Sequence, residues 1–104
     1  MKRIALTTND EGHWFDADKA ELIKEATRWN GQNNISKATG SAHEHEALFR
    51  TAGGQWVLNC YSDDQGKKET YELINNEAAA AWLAKQGLEP HKDCETEFND
   101  LELK

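Results

Sequence analysis

Ala47-Leu48-Phe49-Arg50-Thr51, Gln55-Trp56-Val57-Leu58-Asn59-Cys60-Tyr61 and Thr70-Tyr71-Glu72-Leu73-Ile74 are three extended segments rich in β-branched and aromatic residues. Gly53-Gly54 and Asp63-Asp64-Gln65-Gly66 lie between them, and both interruptions have the composition of tight turns. The third segment runs into Asn75-Asn76 and then Glu77-Ala78-Ala79-Ala80-Ala81-Trp82-Leu83. A helix is predicted there because Asn75 or Asn76 supplies an N-cap, Glu77 complements the positive helix end, and Gly87-Leu88 followed by Pro90 closes it. Together these elements predict an α+β domain: an antiparallel meander of about three to five strands, packed on one face by two helices.

Pleating places Trp56, Leu58 and Cys60 on one face of the middle strand, expected inward, and Gln55, Val57, Asn59 and Tyr61 on the other. On the helix, Ala78, Ala81, Trp82 and Ala84 or Lys85 define a narrow face with Trp82 as its anchor. Working outward, residues 3–7 form a short strand, Asn9-Asp10-Glu11-Gly12 a turn, and His13-Trp14-Phe15 an antiparallel return. Asp18 with Glu21 fits a capping box, and Leu22, Ile23, Ala26 and Trp29 recur at helical spacing, which predicts the other helix over 17–29. Gln32 to Ala42 has only Ile35 as a bulky apolar residue and is expected to be a long loop. Residues 1–90 are therefore expected to form one domain, and 91–104 an acidic tail with some helical character.

The chain has 104 residues, four of them tryptophan, with 38% hydrophobic and 30% charged residues, which is enough apolar surface for one core and argues against disorder. The formal charge is −7, so a phosphate backbone is repelled and ordinary nucleic-acid binding is not expected. From Glu89 onward six acids face two lysines, concentrating about −4 of that charge there. Met1-Lys2-Arg3-Ile4-Ala5-Leu6 lacks the apolar stretch of a signal peptide, and no apolar run is long enough for a membrane span. A cytoplasmic location and no membrane association are expected. Cys60 and Cys94 are too few and too differently placed for a disulfide framework and read as free thiols.

His43-Glu44-His45-Glu46 draws attention as a metal motif, because residues two apart on a strand share a face and two imidazoles could reach one ion. A third ligand would have to come from His13, His91, Cys94 or a carboxylate; the competing reading is a polar stretch opening a strand. Ser36, Ser41 and Ser62 lie in polar segments without a Gly-x-Ser-x-Gly elbow, and Cys60 has no electropositive neighbour in sequence, so no catalytic residue is assigned. Arg50, mid-strand among apolar residues, is expected to pair across the sheet with a group such as Glu72, or to join Trp56 and Tyr71 in anchoring a partner protein. No cofactor is implied.

His45-Glu46-Ala47-Leu48-Phe49-Arg50-Thr51-Ala52-Gly53-Gly54-Gln55-Trp56-Val57-Leu58, Tyr71-Glu72-Leu73-Ile74 and Glu77-Ala78-Ala79-Ala80-Ala81-Trp82-Leu83 resemble a family of small uncharacterised bacterial proteins. That family shares a His-Glu-x-Leu-Tyr-Arg-Thr-x-x-Gly-x-Trp-x-Leu hairpin and a closing Glu-Ala-x-x-Trp-Leu helix. The similarity covers residues 43–88, with a looser echo in Asp16-Ala17-Asp18-Lys19-Ala20; Phe49 stands where tyrosine is commoner, and Cys60-Tyr61-Ser62-Asp63 replaces a Trp-rich turn. The resemblance implies the same α+β fold and an accessory role on plasmids, phages and other mobile elements, with no established activity.

The leading functional expectation is a small non-enzymatic binding or accessory protein that contacts another protein, or itself as a homodimer. It would use the outer sheet face and the 32–45 loop. Two alternatives accompany it: a metal-binding or metal-assisted hydrolytic protein built on His43 and His45, and an acidic DNA mimic that inhibits a nucleic-acid enzyme.

Overall fold

A computed structural model describes Met1–Thr8, Asp10 and Gly12–Lys104. In chain order the strands are β1 (Arg3–Ala5), β2 (Trp14–Asp16), β3 (Glu21–Lys24), β4 (Thr27–Trp29), β5 (Asn34–Ser36), β6 (Glu44–Arg50), β7 (Trp56–Ser62) and β8 (Thr70–Ile74). Helix α1 (Asn76–Lys85) follows, then a 3-10 turn at Lys92–Cys94 that leads into α2 (Glu95–Asn99). The principal sheet has the order β3-β6-β7-β8 and is antiparallel throughout, with β1-β2 and β4-β5 as two separate ribbons.

The β6–β7–β8 meander forms where the turn residues require it: Thr51 closes on Gln55 through Gly54, whose φ of 88° suits glycine and few other residues. Its register sets Leu48 opposite Leu58 and Trp56 opposite Ile74. These side chains meet Ala79, Ala80, Trp82 and Leu83 of α1, together with Cys94 and Phe98 from the two C-terminal turns. Fully burying a side chain such as Leu48 contributes about 1.5–3 kcal/mol. Two helices thus cover one face of the sheet, but the second of them is α2 near the C-terminus and not the one expected over 17–29.

Helix α1 starts and stops as its sequence dictates. Asn75 accepts a hydrogen bond from the Ala78 amide, while Gly87 at φ 74° lets the Leu88 amide reach back to the Leu83 carbonyl. The buried stripe, however, is Ala79, Ala80, Trp82 and Leu83, whereas Ala78 and Ala81 are exposed. In a run of four alanines the periodicity does not distinguish the stripes, and Leu83 decides between them.

The opposite sheet face is not free along its whole length. Leu6 and Phe15 from the β1–β2 ribbon cover Val57, and Phe15 packs its ring against Phe49 and Tyr71. The pairing of β1 with β2 matches the expected return of the chain, whose turn includes Asn9 and Glu11, outside the described residues. Beyond Leu6, the Thr7 amide donates to the Tyr71 carbonyl and the Tyr71 amide donates to Thr7 Oγ1, so this segment also lines the outer edge of β8. Edge strand β3 has β6 as its only strand partner among the described residues.

The predicted 17–29 helix does not form. A single 3-10 turn at Ala17–Lys19 gives way to β3 and β4, and β3 pairs with β6 so that Leu22 lies opposite Phe49 and Ile23 opposite Leu48. The apolar side chains that suggested a helical stripe instead divide between the two faces of a strand. The predicted 32–42 loop is likewise shorter: Asn34–Ser36 form β5 against β4, with Ile35 buried.

Candidate functional site

The stretch of outer sheet face left uncovered by the β1–β2 ribbon is a groove of about 540 Å³. Its floor comes from β6 and β7, where Ala47 and Asn59 face each other across the register. Phe49, Tyr61 and Tyr71 supply aromatic surface, Ile4 and Leu22 aliphatic surface, and Lys2 and Lys24 stand at its margins. The volume lies within the range of about 300–1,000 Å³ typical of ligand clefts. Asn59 is only 4% exposed, and its Nδ2 donates to Glu69 Oε1 and to the Thr70 carbonyl. Tyr71 donates its hydroxyl to the same Glu69 oxygen; burial, and then this bond, pushes its pKa up to about 12.

At one end of the groove His45 is clamped between two carboxylates. Its Nδ1 lies 2.7 Å from Glu25 Oε2 and its Nε2 2.9 Å from Asp63 Oδ2, while its ring stacks on Tyr61 at 5.3 Å between centroids. Both nitrogens can donate at once only in the imidazolium form. The bonds to Asp63 and then to Glu25 accordingly raise the His45 pKa. Glu25 has its side chain 8% exposed; it also accepts from Ser36 Oγ at 2.7 Å and from the Glu46 amide at 2.7 Å. Ser36 in turn accepts from the amides of Ala38 and Thr39, and Ser41 from those of His43 and Glu44. The polar segment leading into β6 is therefore held by side-chain-to-backbone bonds, which is what Ser and Thr at close spacing do well.

Of the expected site residues, His43 is exposed just ahead of β6 and His45 has both ring nitrogens engaged as above. Among the described residues no cluster of three or more His, Cys, Asp or Glu side chains is arranged to hold a metal ion. Arg50 donates to Asp93 Oδ2 at 3.0 Å and to the Gly54 carbonyl, and lies 4.6 Å over the Trp56 ring. Its ion pair is thus with Asp93 rather than the expected cross-strand Glu72, because the register places Arg50 opposite Trp56 and Glu72 opposite Leu58. Trp56 is 1% exposed, with His91 edge-on against its ring at 5.0 Å and its Nε1 donating to Asn76. Arg50 and Trp56 therefore belong to the helix-covered face, and Tyr71 alone of that trio reaches the groove.

Cys60 and Cys94 are both free. Burial and the neighbouring Glu46 raise the pKa of the Cys60 thiol, which suits a packed thiol rather than a nucleophile. Sequence reading did not single out Glu25, Asp63, Asn59 or Glu69. Their roles arise from strand register across separations of 18 to 21 residues for the His45 and Glu46 contacts, and no local motif signals them. Among the described residues no helix is long and apolar enough to cross a membrane. Comparison with protein-family models, curated proteins and solved structures finds no match to this chain.

Proposed function

We propose that this is a small binding or accessory protein that contacts another protein through its groove face. The observation that carries the reading is the uncovered concave stretch of sheet, where Leu22 and Tyr61 are 47% and 38% exposed beside lysine side chains. Aromatic and aliphatic anchors ringed by polar groups make up the surface on which protein contacts concentrate binding energy. Glu25, which lines the groove, is fixed in place by the Ser36 hydroxyl and the Glu46 amide.

Affinity capture from the source cell, with wild type, Tyr61→Ala, Leu22→Asp and a control substitution on the exposed helix surface, Lys85→Ala, tests the reading. A protein retained by wild type and Lys85→Ala, and lost with both groove variants, is the expected result. Equal retention by all four proteins, or by none, overturns it.

A further inference from the structure

We propose that His45 is a proton-operated latch between the β3–β4 connection and the turn that follows β7: as the imidazolium it holds the two together, and on releasing one proton to solvent it lets the turn go. The latch works whatever occupies the groove.

The geometry of the clamp calls for a proton on each ring nitrogen. Nδ1 lies 2.7 Å from Glu25 Oε2 and Nε2 2.9 Å from Asp63 Oδ2, and a carboxylate only accepts, so both bonds exist together only in the doubly protonated ring. The two carboxylates are unequally supported. Glu25 has its side chain 8% exposed and keeps the Ser36 hydroxyl and the Glu46 amide as donors when the ring changes. Asp63 has its side chain 63% exposed, and among the described residues its carboxylate is bonded to the ring alone. A neutral ring therefore keeps its remaining proton on Nδ1, toward the buried Glu25. It then turns a bare Nε2 lone pair on the Asp63 carboxylate, which replaces attraction with repulsion.

Asp63 controls the entry to the turn. Its amide donates to the His43 carbonyl at 2.9 Å, the last rung between β6 and β7. Beyond that rung, the one side-chain tie from residues 64–68 to β6 among the described residues is Lys67 with Glu44 Oε1, at 2.7 Å and with both groups about half exposed. An ion pair that exposed holds weakly. His45 and Tyr61, stacked at 5.3 Å, line both the groove and a second cleft of about 300 Å³ on the turn side, so the latch stands between the two.

The other charged and titratable groups around the ring do not duplicate its role. From the segment before β8, Glu69 faces the groove with Asn59 and Tyr71 bound to it, and Lys68 lines the second cleft. Lys2, ahead of β1, and Lys24 of β3 line the groove. On β6 itself Glu44 is bound by Lys67, and Glu46 accepts from Trp82 and Cys60. Burial pushes the Cys60 thiol and the Tyr61 and Tyr71 phenols above their ordinary values, so His45 is the member of this group that titrates near neutral pH. Its bonds to Asp63 and Glu25 raise its pKa, which keeps the latch mostly closed at pH 6.5 and opens it above.

Nitrogen-15 relaxation on the full chain over a pH series, with the His45 ring followed in long-range proton–nitrogen spectra, tests the latch. In wild type the order parameters of residues 64–68 should fall from about 0.85 to below about 0.6 in step with the ring's own titration. The middle of β6 and β7 should stay rigid throughout. Asp63→Ala should leave residues 64–68 loose at every pH. Asp63→Asn should hold them at every pH, because its amide can donate to the bare Nε2 or accept from the protonated one. His43→Gln should leave the wild-type step in place. A turn in folded wild type that is indifferent to the ring's titration overturns the proposal, as does an Asp63→Asn variant that loosens at the same pH as wild type.

Discussion

His45 is the side chain whose chemistry reaches furthest in this molecule. It joins the β3–β4 connection to the turn after β7, because Glu25 and Asp63 both depend on its protons. A histidine whose folded pKa lies above the ordinary 6.5 contributes stability that is fully present below 6.5 and is lost as pH climbs through the folded value. Urea unfolding of wild type should therefore show a decline from mildly acidic to alkaline pH that His45→Gln lacks over the same interval. Parallel curves for the two proteins would refute the clamp. Glu25 is the more costly residue to remove, because Glu25→Ala strands the buried Ser36 hydroxyl and the Glu46 amide. A loss of about 2–3 kcal/mol in equilibrium unfolding is expected.

Among the elements, α1 is the one whose limits can be read from the chain alone. Asn75→Ala removes the acceptor of the Ala78 amide and should cost about 1 kcal/mol, measured as a shift in the urea midpoint at unchanged slope. The meander was legible for the same reason: its turns and alternating strands are local signals, with Gly54 in the β6–β7 turn and the Asn75 cap at the end of β8. What failed was the 17–29 segment. Leu22, Ile23, Ala26 and Trp29 have helical spacing, but the 47–50 stretch of β6 needs a partner strand, and pairing Leu22 with Phe49 and Ile23 with Leu48 satisfies it. Tertiary pairing overrides a periodicity of so few residues. The groove stayed hidden for a related reason, since the sequence marks Tyr61 and Asn59 only as the other face of a strand. How far the β1–β2 ribbon extends over that face determines whether they are covered.

For the whole molecule, the C-terminal stretch is part of the main core rather than an appendage. Cys94 is fully buried, Phe98 packs on the same cluster, Asp93 pairs with Arg50, and His91 lies 2.8 Å from Glu21 Oε1. A chain shortened after Pro90 should show red-shifted tryptophan emission as Trp56 loses its His91 neighbour, and unfold at lower urea. Retention of the wild-type spectrum would contradict this account. Arg50→Met keeps the stem but removes the ion pair, and should destabilise by about 1 kcal/mol by thermal melting, since the pair is partly exposed to solvent and Asp93 keeps His91 beside it.

The position of those last packing residues also bears on how the protein is made. During synthesis the sheet and α1 emerge first, yet the side of the sheet that carries Trp56 stays without its final cover until residues 91–98 have cleared the ribosome. The Leu6, Phe15 and Val57 cluster on the other face needs none of those residues, so the two halves of the interior are sealed at different stages of synthesis.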